Sequence, residues 1–242
     1  MDTPPGAAEE RIRVLAFGAH PDDVEIGCGG LIAALVQRGH HVVSVSVTSG
    51  DAGSQTIPSD QLRDRREAEA REAAKVLGVA EVIFLRLQDG LTGFSRAEKV
   101  RVIDLVRSQT PNLVLVHASS DCFPDHALVH RLVMDALLGA AGPWYQETSG
   151  QPWKPATVLG YEVWHPMPTY QLSVPIETTL ATKISALRCH QSQVSAIAYD
   201  QAFEALARYR GVMSGGTVAE VFEVLQASAQ VLLPLAKDVE LP

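Results

Sequence analysis

Apolar and polar positions alternate along the chain in blocks of two kinds. RVLAFG (Arg13–Gly18) is a short, mostly apolar run and predicts a buried strand. LIAALVQR (Leu31–Arg38) carries a helical pattern that stops at Gly39. HVVSVSVTSG (His41–Gly50) alternates apolar with small polar residues and reads as a second strand, followed by a turn-rich surface loop, DAGSQTIPSD (Asp51–Asp60). Gln61–Leu77 is dense in Ala, Glu and Arg and is closed by Gly78, the signature of a long helix. Glu81–Leu87, Arg96–Ser108, Asn112–Ser119 and His126–Ala140 continue the order as strand, helix, strand, helix.

Strand and helix thus alternate four times within about 130 residues. That order predicts an α/β, Rossmann-like fold, a mostly parallel sheet with helices on both faces. In such sheets ligands sit at the carboxyl ends of the strands, so four loops become the places to look: His20–Asp23, Thr48–Gly53, Gln88–Gly90 and Asp121–His126. Beyond Gly142 the pattern is less regular. Thr157–Trp164 reads as a strand, ATKISALRCHQSQ as the start of a helix, and Ala202–Ala236 as more helix broken by Ser214–Gly216. Residues 1–10 carry little to bury and predict a loose tail, which leaves 11–242 as a single domain with a C-terminal α/β elaboration.

Composition narrows the function classes. With 20 basic against 28 acidic residues the formal charge is −8, and no block of Lys or Arg occurs, which argues against a nucleic-acid partner. Cys28, Cys122 and Cys189 are scattered and form no CxxC pair, so free thiols in a cytoplasmic setting are expected. No apolar run approaches the ~18–20 residues of a membrane span, and the start lacks the order of a signal peptide. GxGxxG in register, GxxxxGK and GxSxG are all missing.

The chemistry concentrates in AHPDDVEIGCGG, directly after the first strand. Adjacent carboxylates repel and are costly to bury unless a positive charge neutralises them, and a bound cation supplies that charge. His20 and Asp23 offer an imidazole and a carboxylate that suit zinc, and His126, opening the helix after the fourth strand, is the leading third ligand. Asp22 is then free to act as general base on the metal-bound water. The plainer alternative is that Asp22 or Asp23 caps the following helix. His117 reads as a core or supporting histidine, and His130 as a neighbour of His126, because Ala127 stands where an HExxH motif needs glutamate.

With these residues assembled, the sequence resembles the PIG-L (LmbE-like) family of zinc-dependent N-deacetylases. The resemblance is carried by AHPDDVEIGCGG, TSGDAGS, RREAEAREAAKVLGV, FLRLQDG, DCFPDHALVH, YEVW and KISALRCHQSQ, and ARYRG leans towards the branch with bacillithiol-type deacetylases. It implies removal of acetyl from the amide of an N-acetylglucosamine-type sugar or conjugate. His20, Asp23 and His126 would bind Zn2+, or another divalent ion such as Fe2+, and Asp22 would activate the water. Arg66 would contact substrate, and Asp125 would orient His126 through a hydrogen bond. Family members often assemble, so a homo-oligomer is compatible with the resemblance. One position departs: the second motif is commonly HPDH, and here Phe123 replaces its first histidine. Phenylalanine donates no hydrogen bond to an oxyanion; one of three explanations is a pocket for a different substrate, with Phe123 contacting it by stacking on an apolar or sugar face. The departure also frames the rival expectation, a metal- and sugar-binding protein with weakened or lost deacetylase activity. His165 and His190 are candidates to replace the missing histidine, and double duty by Asp22 is the simplest substitute.

Overall fold

A computed structural model describes residues 11–90, 92–229 and 231. The expected tail at 1–10 lies outside the described residues. Seven strands form one sheet in the order β3-β2-β1-β4-β5-β7-β6. The parallel part comprises β1 (Arg13–Gly18), β2 (His41–Thr48), β3 (Glu81–Leu87), β4 (Leu113–His117) and β5 (Thr157–Tyr161). β1, β4 and β5 read as mostly apolar runs because helices cover both faces: every residue of β4 and β5 is buried. In β1, Val14 and Ala16 pack towards α1 (Asp23–Gln37), while Leu15 and Phe17 pack towards α3 (Arg96–Gln109) and α4 (Pro124–Ala140). The face of α1 also receives α2 (Ser59–Leu77), α5 (Leu180–Leu187) and α7 (Tyr199–Met213); a single turn, α6 (Gln191–Val194), joins the last two.

Two expectations are corrected. The glycine-rich stretch after Asp22 is helical, so α1 begins eight residues before Leu31, at Asp23. Glycine is a poor helix former, but here close packing demands it: a Cβ on Gly27 would lie 2.0 Å from Cδ2 of Tyr161. At the other end, the helix expected over Ala202–Ala236 stops at Met213. It gives way to β7 (Ala219–Gln226), which runs antiparallel between β5 and the edge strand β6 (Leu172–Pro175). Glu220 and Glu223, three residues apart as on one face of a helix, hid this strand, and four-residue β6 gave no signal; residues 230 and 232–236 of that expected helix lie outside the described residues. Among the described residues, no helix is long and apolar enough to cross a membrane.

β1 and β4 are neighbours from which the chain proceeds in opposite directions across the sheet, and their following loops part to leave a crevice. The rim around it is braced by Glu67 of α2. Its carboxylate accepts a two-pronged bond from Arg86 (2.8 and 3.0 Å) and one from the Ser49 hydroxyl (2.9 Å), tying α2 to the ends of β2 and β3. Arg86 has φ 51, a left-handed conformation beside an irregularity in the β2–β3 register, and this fork helps hold it there. Its hydrogen bonds, opposed by burial and joined by those of Ser49 and Arg71, hold the Glu67 carboxyl at about 2 rather than 4.5. A carboxyl depressed in the folded state stabilises above its unfolded value and loses that contribution as pH falls towards the folded one. Glu67→Gln is therefore expected to lower stability at neutral pH and to remove part of the stability loss between about pH 4.5 and pH 2. Urea unfolding at stepped pH checks this; parallel pH profiles for both proteins would refute it.

Candidate metal centre at the β1–β4 crevice

The site is built outward from the end of β1. The N–H of Ala19 donates to Nε2 of His117 (3.0 Å), and its carbonyl accepts from the Thr48 N–H (2.8 Å) and hydroxyl (2.9 Å). The residue before His20 is thereby pinned from β4 and β2. Asp22 takes a left-handed conformation, φ 116 and ψ −26, a costly state for a residue with a Cβ. Its carbonyl accepts from Ile26 N–H (2.9 Å), and Arg66 Nη2 donates to the Pro21 carbonyl (2.7 Å) while lying 3.3 Å from Asp22 Oδ1. Asp22 makes no side-chain cap of α1, and Asp23 Oδ2 reaches back to accept from the His20 N–H at 2.7 Å. Helix capping therefore does not account for Asp22.

Three sequence-nominated residues meet: His20, Asp23 and His126 each offer a donor atom within 4.8 Å of the others. His126 Nδ1 contacts Asp121 Oδ2 at 2.8 Å, and its ring stacks 4.0 Å from that of His117. With its Nδ1–H donating to Asp121, His126 presents Nε2 to Asp23 Oδ1 at 3.4 Å, and neither of these buried atoms has a hydrogen-bond partner. Without a metal a proton on Nε2 serves this contact, and despite burial Asp23 and Asp121 hold the His126 imidazole up to about 9; a divalent ion would take that proton's place between two buried ligand atoms, so the donor set fits a metal. The resemblance gave Asp125 the task of orienting His126. The structure corrects this: Asp121 contacts His126, and Asp125 instead contacts His20 Nε2 at 3.0 Å, joined by Asp89 at 3.2 Å.

Electrostatics separates the two adjacent aspartates. Despite burial, His126 and His117 hold the Asp23 carboxyl well below the usual range. Burial pushes Asp22 up to about 6 against the pull of Arg66, with the Asp23 charge adding to the rise. Burial and the neighbouring His126 depress His117 to about 4, so it is a neutral supporting group, as its strand position suggested.

A cavity of about 300 Å³ opens over these residues. Arg66 and Asp89 line it together with Phe123, Trp164 and Gln193. Phe123 is 42 % exposed, and its ring lies 4.9 Å from that of His126 and 6.0 Å from that of His20. The alternative histidines are elsewhere: exposed His165 contacts Cys122 (3.2 Å), and His190 is buried 3.5 Å from Glu25. Sequence reasoning gave no role to Asp121, Asp89, Trp164 or Gln193. The first two lie in loops already marked by their place after a strand; the others come from the less regular C-terminal part.

Parallel-strand topology and a carboxylate–imidazole cluster at the strand switch define an α/β protein with a candidate metal centre. The chain belongs to the GlcNAc-PI de-N-acetylase family, PIG-L, whose pattern matches residues 15–137, from β1 into α4. It is 31 % identical over 192 residues to the uncharacterized deacetylase YaiS of Escherichia coli K12, covering 77 % of this chain and 94 % of that one. It is 28 % identical to the diacetylchitobiose deacetylase of Thermococcus kodakarensis over 86 % of this chain and 81 % of that protein. The 4-carboxy-2-hydroxymuconate hydratase of Pseudomonas putida KT2440 superposes with TM-score 0.81 at 22 % identity, covering 90 % and 97 % of the chains. That last likeness is one of fold alone, and fold does not fix the reaction.

The loop after β2 makes room for Arg66. Gly50 has φ +64, and a Cβ there would lie 2.3 Å from Arg66 Nη1, which donates to the Gly50 carbonyl at 3.1 Å. Gly50→Ala is expected to cost roughly 1–3 kcal/mol in chemical denaturation through strain and a displaced guanidinium. Unchanged stability would show that Arg66 is not held as described.

Proposed function

We propose that the protein is a metal-dependent N-deacetylase that hydrolyses the amide of an N-acetylated amino sugar or its conjugate. The observation that carries the reading is the pair of buried, unpartnered atoms, Asp23 Oδ1 and His126 Nε2, facing each other beside His20 and Asp22. Membership of a de-N-acetylase family and the diacetylchitobiose-specific name of one relative support the substrate class. His20, Asp23 and His126 would hold the metal, with zinc the expected ion and iron(II) suited by the same donors. A divalent ion held there would supply Lewis-acid polarisation of an amide carbonyl and a water that is nucleophilic near neutral pH.

The remaining work falls to the chain's own groups. Asp121 fixes the orientation of His126, and Asp125 with Asp89 fixes that of His20, as carboxylates do for ligating imidazoles. Asp22 accepts the proton of the attacking water. Phe123 has no proton to give and His165 and His190 do not line the cavity, so Asp22 also returns a proton to the leaving amine. Its raised carboxyl, at about 6, suits both halves of that task. Arg66 keeps Asp22 in place and limits the rise. Phe123 and Trp164 give the cavity apolar faces against which a sugar ring can lie.

Elemental analysis paired with acetate release from N-acetylglucosamine conjugates tests the reading. About one metal per chain with acetate release is expected, as for a single three-ligand site. His126→Ala or His20→Ala should lose the metal, and wild-type metal content in either variant would overturn the ligand assignment. Asp22→Asn should keep the metal and lose on the order of 10²–10⁴ in rate. Metal and sugar binding without acetate release by the wild type would favour a binding protein, the reading that Phe123 supports.

Phe123→His offers an independent check. If the phenyl ring costs the site a donor to the oxyanion, the imidazole should raise kcat by about tenfold or more, since one such donor is commonly worth 10²–10³. A lower kcat with intact metal content would mean instead that the phenyl face is needed for substrate.

A further inference from the structure

α1 is not continuous. Cys28 has φ −145 and ψ 17, which divides the helix into a short first segment, starting at Asp23, and a longer second one. A break inside a buried helix leaves amide and carbonyl groups that must find partners. Gly30 and Leu31 N–H donate to the two oxygens of Glu220, at 2.8 and 2.7 Å. The Ile26 carbonyl, on the other side of the break, accepts from Lys183 Nζ at 2.7 Å. Lys183 and Glu220 are themselves 2.6 Å apart and buried. The pair thus bridges the break with each charge on its favoured side, the carboxylate at exposed amides and the ammonium at an exposed carbonyl.

The first segment is too short to hold its own shape, since a helical turn alone is not stable. It nevertheless carries Asp23, and Ile26 N–H donates to the Asp22 carbonyl. Lys183 therefore grips one end of the Ile26 peptide neighbourhood while the other end holds the strained Asp22. Ordinary packing does not require charge here, because a buried ion pair is commonly no better for stability than apolar residues of similar volume. What the pair supplies is direction: hydrogen bonds that fix the short segment at one angle against the second.

We infer that Lys183 and Glu220 are positioning residues for Asp22 and Asp23, bridging the break in α1 so that both carboxylates face the crevice. The inference rests on the metal-dependent reading above. Neither residue touches the cavity, so neither is catalytic. Their contribution arrives from the C-terminal part of the chain, α5 and β7, and explains why a catalytic crevice formed by β1 and β4 needs that elaboration.

The test compares Lys183→Met and Glu220→Gln with Arg210→Met. Arg210 belongs to another buried ion pair, with Glu162, and its guanidinium hydrogen-bonds Glu162 and the Met167 carbonyl but not α1. Two readouts are taken on each protein: zinc affinity by chelator competition, and the visible absorption of the cobalt-loaded form. Lys183→Met is expected to lose about tenfold to hundredfold in zinc affinity and to shift the cobalt bands, as variants of supporting residues at metal sites do. Arg210→Met, though destabilised, should keep both within about threefold of wild type. If Lys183→Met does not fold, the milder Glu220→Gln decides by the same readings. Wild-type affinity and spectra in the folded variants, or an equal loss in Arg210→Met, would overturn the inference. Wild-type protein that bound neither zinc nor cobalt would instead fail the metal-dependent reading, and this inference with it, before any variant was compared.

Discussion

Two adjacent carboxylates buried at the end of β1 impose the constraint around which the crevice is arranged. Asp22 and Asp23 are nearly inaccessible, and an unneutralised charge there would cost several kcal/mol. The chain answers differently on each side. Asp23 is surrounded by imidazoles from β4 and α4 and kept ionised; Asp22 receives a single guanidinium from α2 and is left close to its titration point. Each partner must then be fixed in turn, which is why His126 has Asp121 behind it, His20 has Asp89 and Asp125, and Arg66 is clasped by the carbonyls of Gly50 and Pro21. The ends of β1, β2, β3 and β4 all contribute. A parallel sheet is the scaffold that brings four such ends to one rim.

How much of this could be read from the sequence follows from what each element depends on. β1 and β4 were legible because burial on two faces makes them mostly apolar, β2 because its valines alternate with small polar residues, and α2 because its Ala, Glu and Arg favour a helix without help. The first half of α1 was not legible. Its glycines oppose helix formation, and their reason is tertiary: Tyr161 and Ile176 occupy the places where side chains at 27 and 30 would be. β7 failed for a related reason: Glu220 reads as a solvent-facing residue until its partner, Lys183, is known from a distant part of the chain. In the site, motif spacing brought His20, Asp23 and His126 together correctly. The assignment of Asp125 went astray because neighbours in sequence on a helix point in different directions, whereas Asp121, in the loop before α4, can fold back onto Nδ1.

Phe123 ties the local chemistry to this arrangement. Two residues on, Asp125 contacts His20 and accepts from the Gly90 N–H at 3.2 Å. With phenylalanine at 123 the mouth of the site gains an apolar face, while Asp125 and Asp89, the latter from the loop after β3, support His20. The proton inventory shrinks by the same change. In the proposed reaction Asp22 would both take the proton in and pass it out, and its environment suits that balance: burial that raises its carboxyl, Arg66 that restrains it, and a left-handed backbone at the crevice. The strain at Asp22 is maintained from opposite ends of the sequence, by Arg66 in the first third and by the Lys183–Glu220 bridge near the end.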